Sequence, residues 1–216
     1  VSTSQPAPGI LIDCWDSLLD HYDHIIYLPM SSGLSGGCHT AAMLAEEYDG
    51  RIHVVDNHRI SVTLRQSVLE AKYRACRGKN PQEIVTHLEQ DGLESRIYVA
   101  VNTLEYLKKS GRVTAAGAAV GTILNIKPVL QIQGGKLDAY KRARGMHQAM
   151  QMMIDGLKYD QAHRFAGKKT VIRAAYSGDL EAGAIWQAEL QTAFPGMSIG
   201  LDPLPISISC HTGDGA

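Results

Sequence analysis

Short apolar runs alternate with longer amphipathic stretches through the first hundred residues. Residues 24–29 (HIIYLP), 51–56 (RIHVVD) and 96–101 (RIYVAV) are compact and β-rich, the pattern of buried strands. The first leads into 31–37 (SSGLSGG) and then a stretch of helical character over 38–48. Strand, Gly-rich turn, helix and strand make a βαβ unit, whose strands are parallel and whose crossover is right-handed. Residues 60–77 carry Val62, Leu64, Val68, Leu69, Ala71, Tyr73 and Ala75 at spacings that predict a long amphipathic helix. Asn80, Pro81 and Glu83 open another, as N-cap, first helical residue and first-turn negative charge.

The texture changes after about residue 103. A short helix over 104–109 is ended by Gly111, and 114–125 (TAAGAAVGTILN) is small enough for close helix packing. Residues 128–133 and 136–141 flank Gly134-Gly135, a hairpin signal. Helices are predicted over 144–159 and 182–194, and strands over 169–176 and 197–201; 206–209 alternates apolar and polar residues. The fold class is therefore α/β, with two α/β subdomains. Residues 1–103 form the first, with a mostly parallel sheet and βαβ units; residues 104–216 form a mixed second one with a β-hairpin.

Composition narrows the function. The 216 residues hold 21 Lys+Arg against 22 Asp+Glu, a net charge of −1, so the basic excess of a nucleic-acid binder is missing. With 44% hydrophobic and 20% charged residues, neither disorder nor a coiled coil fits. Aromatic residues are only 6%, so aliphatic side chains and Met must fill the core. Cys14, Cys38, Cys76 and Cys210 form no CxxC pair, and the adjacent Cys38-His39 and Cys210-His211 cannot easily share a metal. Free thiols in a reducing cytoplasm are the expectation. No apolar run has the roughly 18 residues that cross a bilayer, and no signal peptide is evident. The sequence opens at Val1 without Met and stops soon after His211, which suggests residues missing at both ends.

Residues 31–37 carry the strongest local signal. The loop follows a buried strand and opens a helix, where α/β folds bind ligands at the carboxyl edge of the sheet. Free amides, the helix N-terminus and three Ser hydroxyls suit an anion there; a plain turn with Ser caps is the alternative. The Lys-Ser/Thr ending of a P-loop is absent, as is GxGxxG. Thr3-Ser4-Gln5-Pro6 is a second hydroxyl cluster and His211-Thr212-Gly213 a third polar one. Arg142 and Arg144 follow the hairpin, where exposed surface cations are the default. No Ser-His-Asp constellation, HExxH or spaced carboxylate pair is present.

Six stretches in order resemble the DegV family of bacterial fatty-acid-binding proteins: TSQP at 3–6, MSSGLSG at 30–36, NTLEYLKKSGR at 102–112, LNIKP at 124–128, the Gly-Gly hairpin, and HTG at 211–213. The resemblance implies a two-domain α/β protein holding one long-chain fatty acid between its domains. It further implies a subunit that is not itself an enzyme, carries no cofactor, binds no nucleic acid and does not insert stably into membranes. Such proteins present the carboxylate to a separate ATP-binding fatty-acid kinase, and the acyl phosphate feeds phospholipid synthesis. The family's carboxylate-holding residues match Thr3 and Ser32, with Ser31, Ser4 and Gly33 beside them; Arg144 and His211 match its headgroup-side residues.

Met146, Met150 and Met153, at i, i+4 and i+7, suit an adaptable tunnel for the acyl chain, although such a stripe more often packs a core. The sequence departs from the family in lacking its opening βα segment with an Asp-Ser pair, in Asp214 where Pro is usual, and in Gly37 where Thr is common. Two other classes fit the same loop: a small-molecule phosphate enzyme cradling phosphate on it, and a non-catalytic interaction domain in which it is only a turn.

Overall fold

A computed structural model describes residues 2–119, 126–133 and 135–216. It divides into two units, one of Ser4–Ser95 with Gln133–Gly135, the other of Val1–Thr3, Arg96–Ile132 and Lys136–Ala216. Each is described in turn.

The first unit runs α1 (Pro8–Leu19), β1 (Ile25–Tyr27), α2 (Gly37–Ala45), a 3-10 turn (Glu46–Tyr48), β2 (Ile52–Val54), α3 (Ser61–Ala75) and α4 (Pro81–Gly92). β1 and β2 pair in parallel with Ile25 opposite Ile52, as the βαβ pattern predicts. Alternation along the strands sends side chains to two cores. Ile25, Tyr27 and Ile52 pack with Ala41 and Trp15, which meets the Tyr27 and Tyr48 rings edge-on. Ile26 and Leu28 pack on the other side with Val55, Ala71, Ile84, Val85 and Leu88. At the start of α4 the Asn80 side chain accepts from Glu83 N–H at 2.9 Å, and the Glu83 carboxylate accepts from Asn80 N–H at 3.0 Å. That reciprocal cap satisfies two donors the helix would otherwise leave open.

The second unit holds β3 (Ile97–Ala100), α5 (Glu105–Ser110), α6 (Ala115–Ala119), β4 (Lys127–Ile132), β5 (Asp138–Ala143), α7 (Met146–Ala162), β6 (Arg173–Tyr176), α8 (Leu180–Ala193), β7 (Gly200–Pro203) and α9 (Ile206–Thr212). β3, β4 and β5 form an antiparallel sheet in that order, and β6 pairs with β7 in parallel. α7 buries Ala149 and Met153 with Ala100, Val129 and Ala143. Its Ile154 joins Ile172, Ala174, Leu190, Phe194 and Ile199 in a second cluster. Met153 is thus a core residue, while Met146, Met150 and Met152 lie partly buried against the first cluster.

Several expectations change. The 96–101 strand belongs with the hairpin: its partner is β4, in antiparallel register, so the change of unit falls at residues 95–96 rather than 103–104. The hairpin connection is longer than two residues, because Leu137 bridges to Val113 and its N–H donates to the Arg112 carbonyl; Gly134 lies outside the described residues. Residues 206–209, for which the alternation alone assigned no element, are helical, since Pro205 caps a helix whose first-turn amides of Ile208 and Ser209 both bond its carbonyl. In α6, a Cβ on Gly117 would stand 2.6 Å from Val113 Cγ2, the close packing that small residues allow; residues 120–125 of that stretch lie outside the described ones.

Candidate functional site

Residues 31–37 form a tight turn between β1 and α2. Ser31 is completely buried, and its N–H donates to the Arg59 carbonyl at 2.9 Å. Its Oγ accepts from Gly33 N–H, and its carbonyl accepts from the amides of Leu34 and Ser35. Ser31 therefore builds the turn, and its hydroxyl is already engaged. Ser32 is exposed, and its N–H donates to Asp56 Oδ1 at 3.3 Å. Its hydroxyl takes no partner among the described residues. The Ser35 hydroxyl accepts from Gly37 N–H at 3.2 Å, at the start of α2. The expected nest of free amides is thus largely filled from within: those of Ser32, Gly33, Leu34, Ser35 and Gly37 all have protein acceptors.

Gly33 lies in tight contact with the chain packed on it. A Cβ there would come within 3.0 Å of the Gly135 backbone, so the segment holding Gly135 sits directly on the turn. Gln5 of the TSQP stretch also reaches it: Thr40 Oγ1 in α2 donates to Gln5 Oε1 at 3.1 Å, and Gln5 lies beside Gly36 and Gly37. Two of the polar stretches therefore meet through Gln5. Ser4 is exposed.

A second cluster lies in the other unit. Thr3 Oγ1 and His211 Nε2 stand 2.7 Å apart. His211 Nδ1 is buried and takes no hydrogen-bond partner among the described residues. Burial, then the positive charge of Arg112, pushes the His211 pKa down, which favours the neutral imidazole. The segment after His211 is pinned from two sides. Ser177 Oγ donates to the Gly213 carbonyl at 2.6 Å, and Gly215 N–H donates to the Ser177 carbonyl. Asn102 Nδ2 donates to the Asp214 carbonyl at 3.0 Å while Lys127 Nζ donates to Asn102 Oδ1 at 2.9 Å. Asn102, Lys127 and the stretch after His211 come from three of the separate motifs, and Asn102 joins them.

Arg144 is exposed at the start of α7, its N–H bonded to the Gln148 side chain. No hydrogen bond or ion pair links it to Thr3 or His211 among the described residues. The cation whose field reaches His211 is Arg112, which the sequence reading passed over. Its signal was the Gly111-Arg112 pair: Gly111 takes a left-handed conformation that stops α5 and releases Arg112 from the helix. Asp56 was also missed, because a lone Asp after a strand resembles any loop residue.

Among the described residues there is no group of three or more His, Cys, Asp or Glu placed to hold a metal ion, and no helix is long and apolar enough to cross a membrane. Fold and clusters together define an α/β protein whose candidate chemistry is hydroxyl, imidazole and guanidinium hydrogen bonding. A family model described as "Uncharacterised protein, DegV family" matches residues 1–216, and the chain belongs to that family. A DegV domain-containing protein of Deinococcus radiodurans is 32% identical over 216 residues, covering all of this chain and 75% of the relative.

Solved structures agree. A DegV family protein from Thermus thermophilus, described for its fatty-acid binding, superposes with a TM-score of 0.86 at 32% identity, over 99% of this chain and 76% of that one. A fatty-acid-binding DegV family protein from Streptococcus agalactiae gives 0.87 at 25% identity, over 99% and 75%. DegV of Bacillus subtilis, called a fatty acid binding protein, gives 0.82 at 25% identity, over 99% and 76%.

Proposed function

We propose that this chain binds one long-chain fatty acid and presents its carboxylate to a separate ATP-binding kinase, without catalysing the phosphorylation itself. The observation that carries the fatty-acid part of the reading is the likeness, at 32% identity over 99% of this chain and 76% of the other, to a Thermus thermophilus protein described for fatty-acid binding. Ser32 supports it, with an exposed hydroxyl on a turn whose amides at Ser32, Gly33, Leu34, Ser35 and Gly37 are internally satisfied. A carboxylate is met by two or three such donors. In the second unit the Thr3 hydroxyl is a separate candidate donor, and in the first Ser4 and Gly33 accompany Ser32 as candidates. His211, with Arg112 and Arg144, supplies donors for the charge that builds on the headgroup during transfer. Ser31 belongs to this set only as the residue that shapes the turn.

Tail burial supplies most of the affinity. At about 0.8 kcal/mol per buried CH₂, a chain of roughly sixteen carbons gains on the order of 10 kcal/mol before costs. The acyl phosphate would pass to phospholipid synthesis, and the four free thiols suit a reducing cytoplasm. A phosphate-cradling enzyme is less well supported, since Asp56 sits on the Ser32 amide where a phosphate would need a donor. Calorimetric titration of the delipidated protein with palmitate tests the binding. One-to-one saturation is expected, and no binding overturns the reading. Acyl phosphate should form only when this chain, a fatty-acid kinase partner and Mg-ATP are all present; formation without the partner overturns the presenting role.

A further inference from the structure

We propose that Asp56 is a charge-selecting residue of the Ser32 turn, favouring a singly charged carboxylate headgroup over a doubly charged phosphate one; this rests on the fatty-acid reading above. Asp56 Oδ1 accepts from Ser32 N–H at 3.3 Å and from His58 N–H at 3.2 Å, and it lies 3.4 Å from His58 Nδ1. Its side chain remains 27% exposed, so its charge is not sealed away from a ligand at the Ser32 hydroxyl. Burial and then Asp56 raise the pKa of the Cys38 thiol, so the carboxylate's field extends into the start of α2. This negative field opposes the helix N-terminus that would otherwise welcome an anion.

The carboxylate is also held in place. Asn57, 1% exposed, donates to Ser67 Oγ at 2.8 Å, and the Gly92 position leaves no room for a Cβ, which would stand 2.6 Å from the Asn57 carbonyl oxygen. Arg59, 5% exposed, donates from Nε to the Gly92 carbonyl, from Nη1 to Ser67 and from Nη2 to the Asp91 carboxylate at 2.8 Å. Its own carbonyl accepts from Ser31 N–H. Between these anchors His58 takes a φ of +58°, a conformation that costs energy for a non-glycine residue and persists when its surroundings fix it. Arg59 is the one permanently charged cation of this segment, and it is committed to Asp91 and the end of α4. Nothing on the segment therefore offsets Asp56 except His58 when protonated.

One added unit of negative charge about 6 Å from a fixed carboxylate, at an effective dielectric near 20, weakens binding by roughly a hundredfold at most. With the same tail on both, a monoanion meets this penalty once and a dianion twice. The test measures Kd for palmitate and for hexadecyl phosphate on the delipidated protein and on Asp56→Asn, which keeps an oxygen acceptor for Ser32 N–H but no charge. Wild type should prefer palmitate, and Asp56→Asn should shift the ratio toward hexadecyl phosphate by roughly tenfold or more. A structural role alone would move both constants together, and an unchanged ratio overturns the proposal.

Should the variant not fold, wild type answers through salt. Raising ionic strength toward about 1 M shortens the screening length to about 3 Å, so the preference should narrow; a constant preference overturns it. If palmitate fails to bind wild type at all, the fatty-acid reading itself falls, whereas palmitate binding with an unaltered ratio removes only Asp56.

Discussion

The hydroxyl of Thr3 and Nε2 of His211, 208 positions apart in sequence, stand 2.7 Å from one another. One end of the second unit is thereby tied to α9, and the imidazole has one nitrogen engaged while the other is buried without a partner among the described residues. Thr3→Val keeps the shape and removes the bond. A net loss of about 1 kcal/mol is expected, or a few degrees in Tm for a chain of this size. Thermal unfolding monitored by circular dichroism checks it; an unchanged Tm would show that the contact contributes nothing to stability.

Ser31 and Ser32 separate turn-building from ligand-holding. Ser31→Ala removes the acceptor for Gly33 N–H at a fully buried position and should destabilise the protein by about 1–3 kcal/mol. Ser32→Ala should leave Tm almost unchanged but weaken palmitate binding about tenfold or more, since a hydrogen bond to a charged group is worth ~1.5–3 kcal/mol. Melting curves and palmitate titrations of the two variants decide it, and the reverse pattern would exchange their roles.

The strands, the reciprocal cap on α4 and the order of the polar motifs were legible in the sequence because each depends on local pattern: apolar runs, Asn80-Pro81-Glu83, and fixed short stretches. The pairing of β3 was not, since RIYVAV looks alike in a parallel or an antiparallel sheet and only its neighbour decides. α9 was not legible because ISIS alternates at period two and shows no helical spacing, while Pro205 and the following amides favour a helix. Ser31 and Ser32 are indistinguishable in sequence, and only burial tells them apart. Arg112 and Asp56 were hidden for a related reason: single charged residues next to turns gain meaning only from what they face.

Acid should destabilise this protein through His53 and His211. Both pKa values are lowered in the folded state, His53 by burial and then by His24, whose Nδ1 is 3.3 Å from its Nε2, and His211 by burial and then by Arg112. The unfolded chain then binds more protons below the ordinary value of 6.5. This stability is present above that value and is lost as pH falls from it toward the depressed folded values. Unfolding in urea at a series of pH values between about 7 and 5 should show the decline, and His53→Gln should flatten it. A slope that is the same in the variant would remove His53 as a source.

Arg112, Arg144 and His211 are expected to matter more for transfer than for loading. Tail burial dominates affinity, so Arg144→Ala, Arg112→Ala and His211→Ala should still bind palmitate, while acyl-phosphate formation with the kinase partner slows. Of the two arginines, Arg112 should cost more, since its charge is the one felt at His211. Turnover assays at equal lipid occupancy give the answer: variants that emerge empty would be ligand-holding residues, and normal turnover in all three would exclude them from transfer.

Native mass spectrometry of the purified protein addresses fatty-acid binding most directly. The expected spectrum shows one chain carrying one adduct, with the mass of a fatty acid of roughly sixteen to eighteen carbons, released on denaturation and recovered by lipid extraction. A chain that flies bare, and stays bare after incubation with excess palmitate, would contradict it.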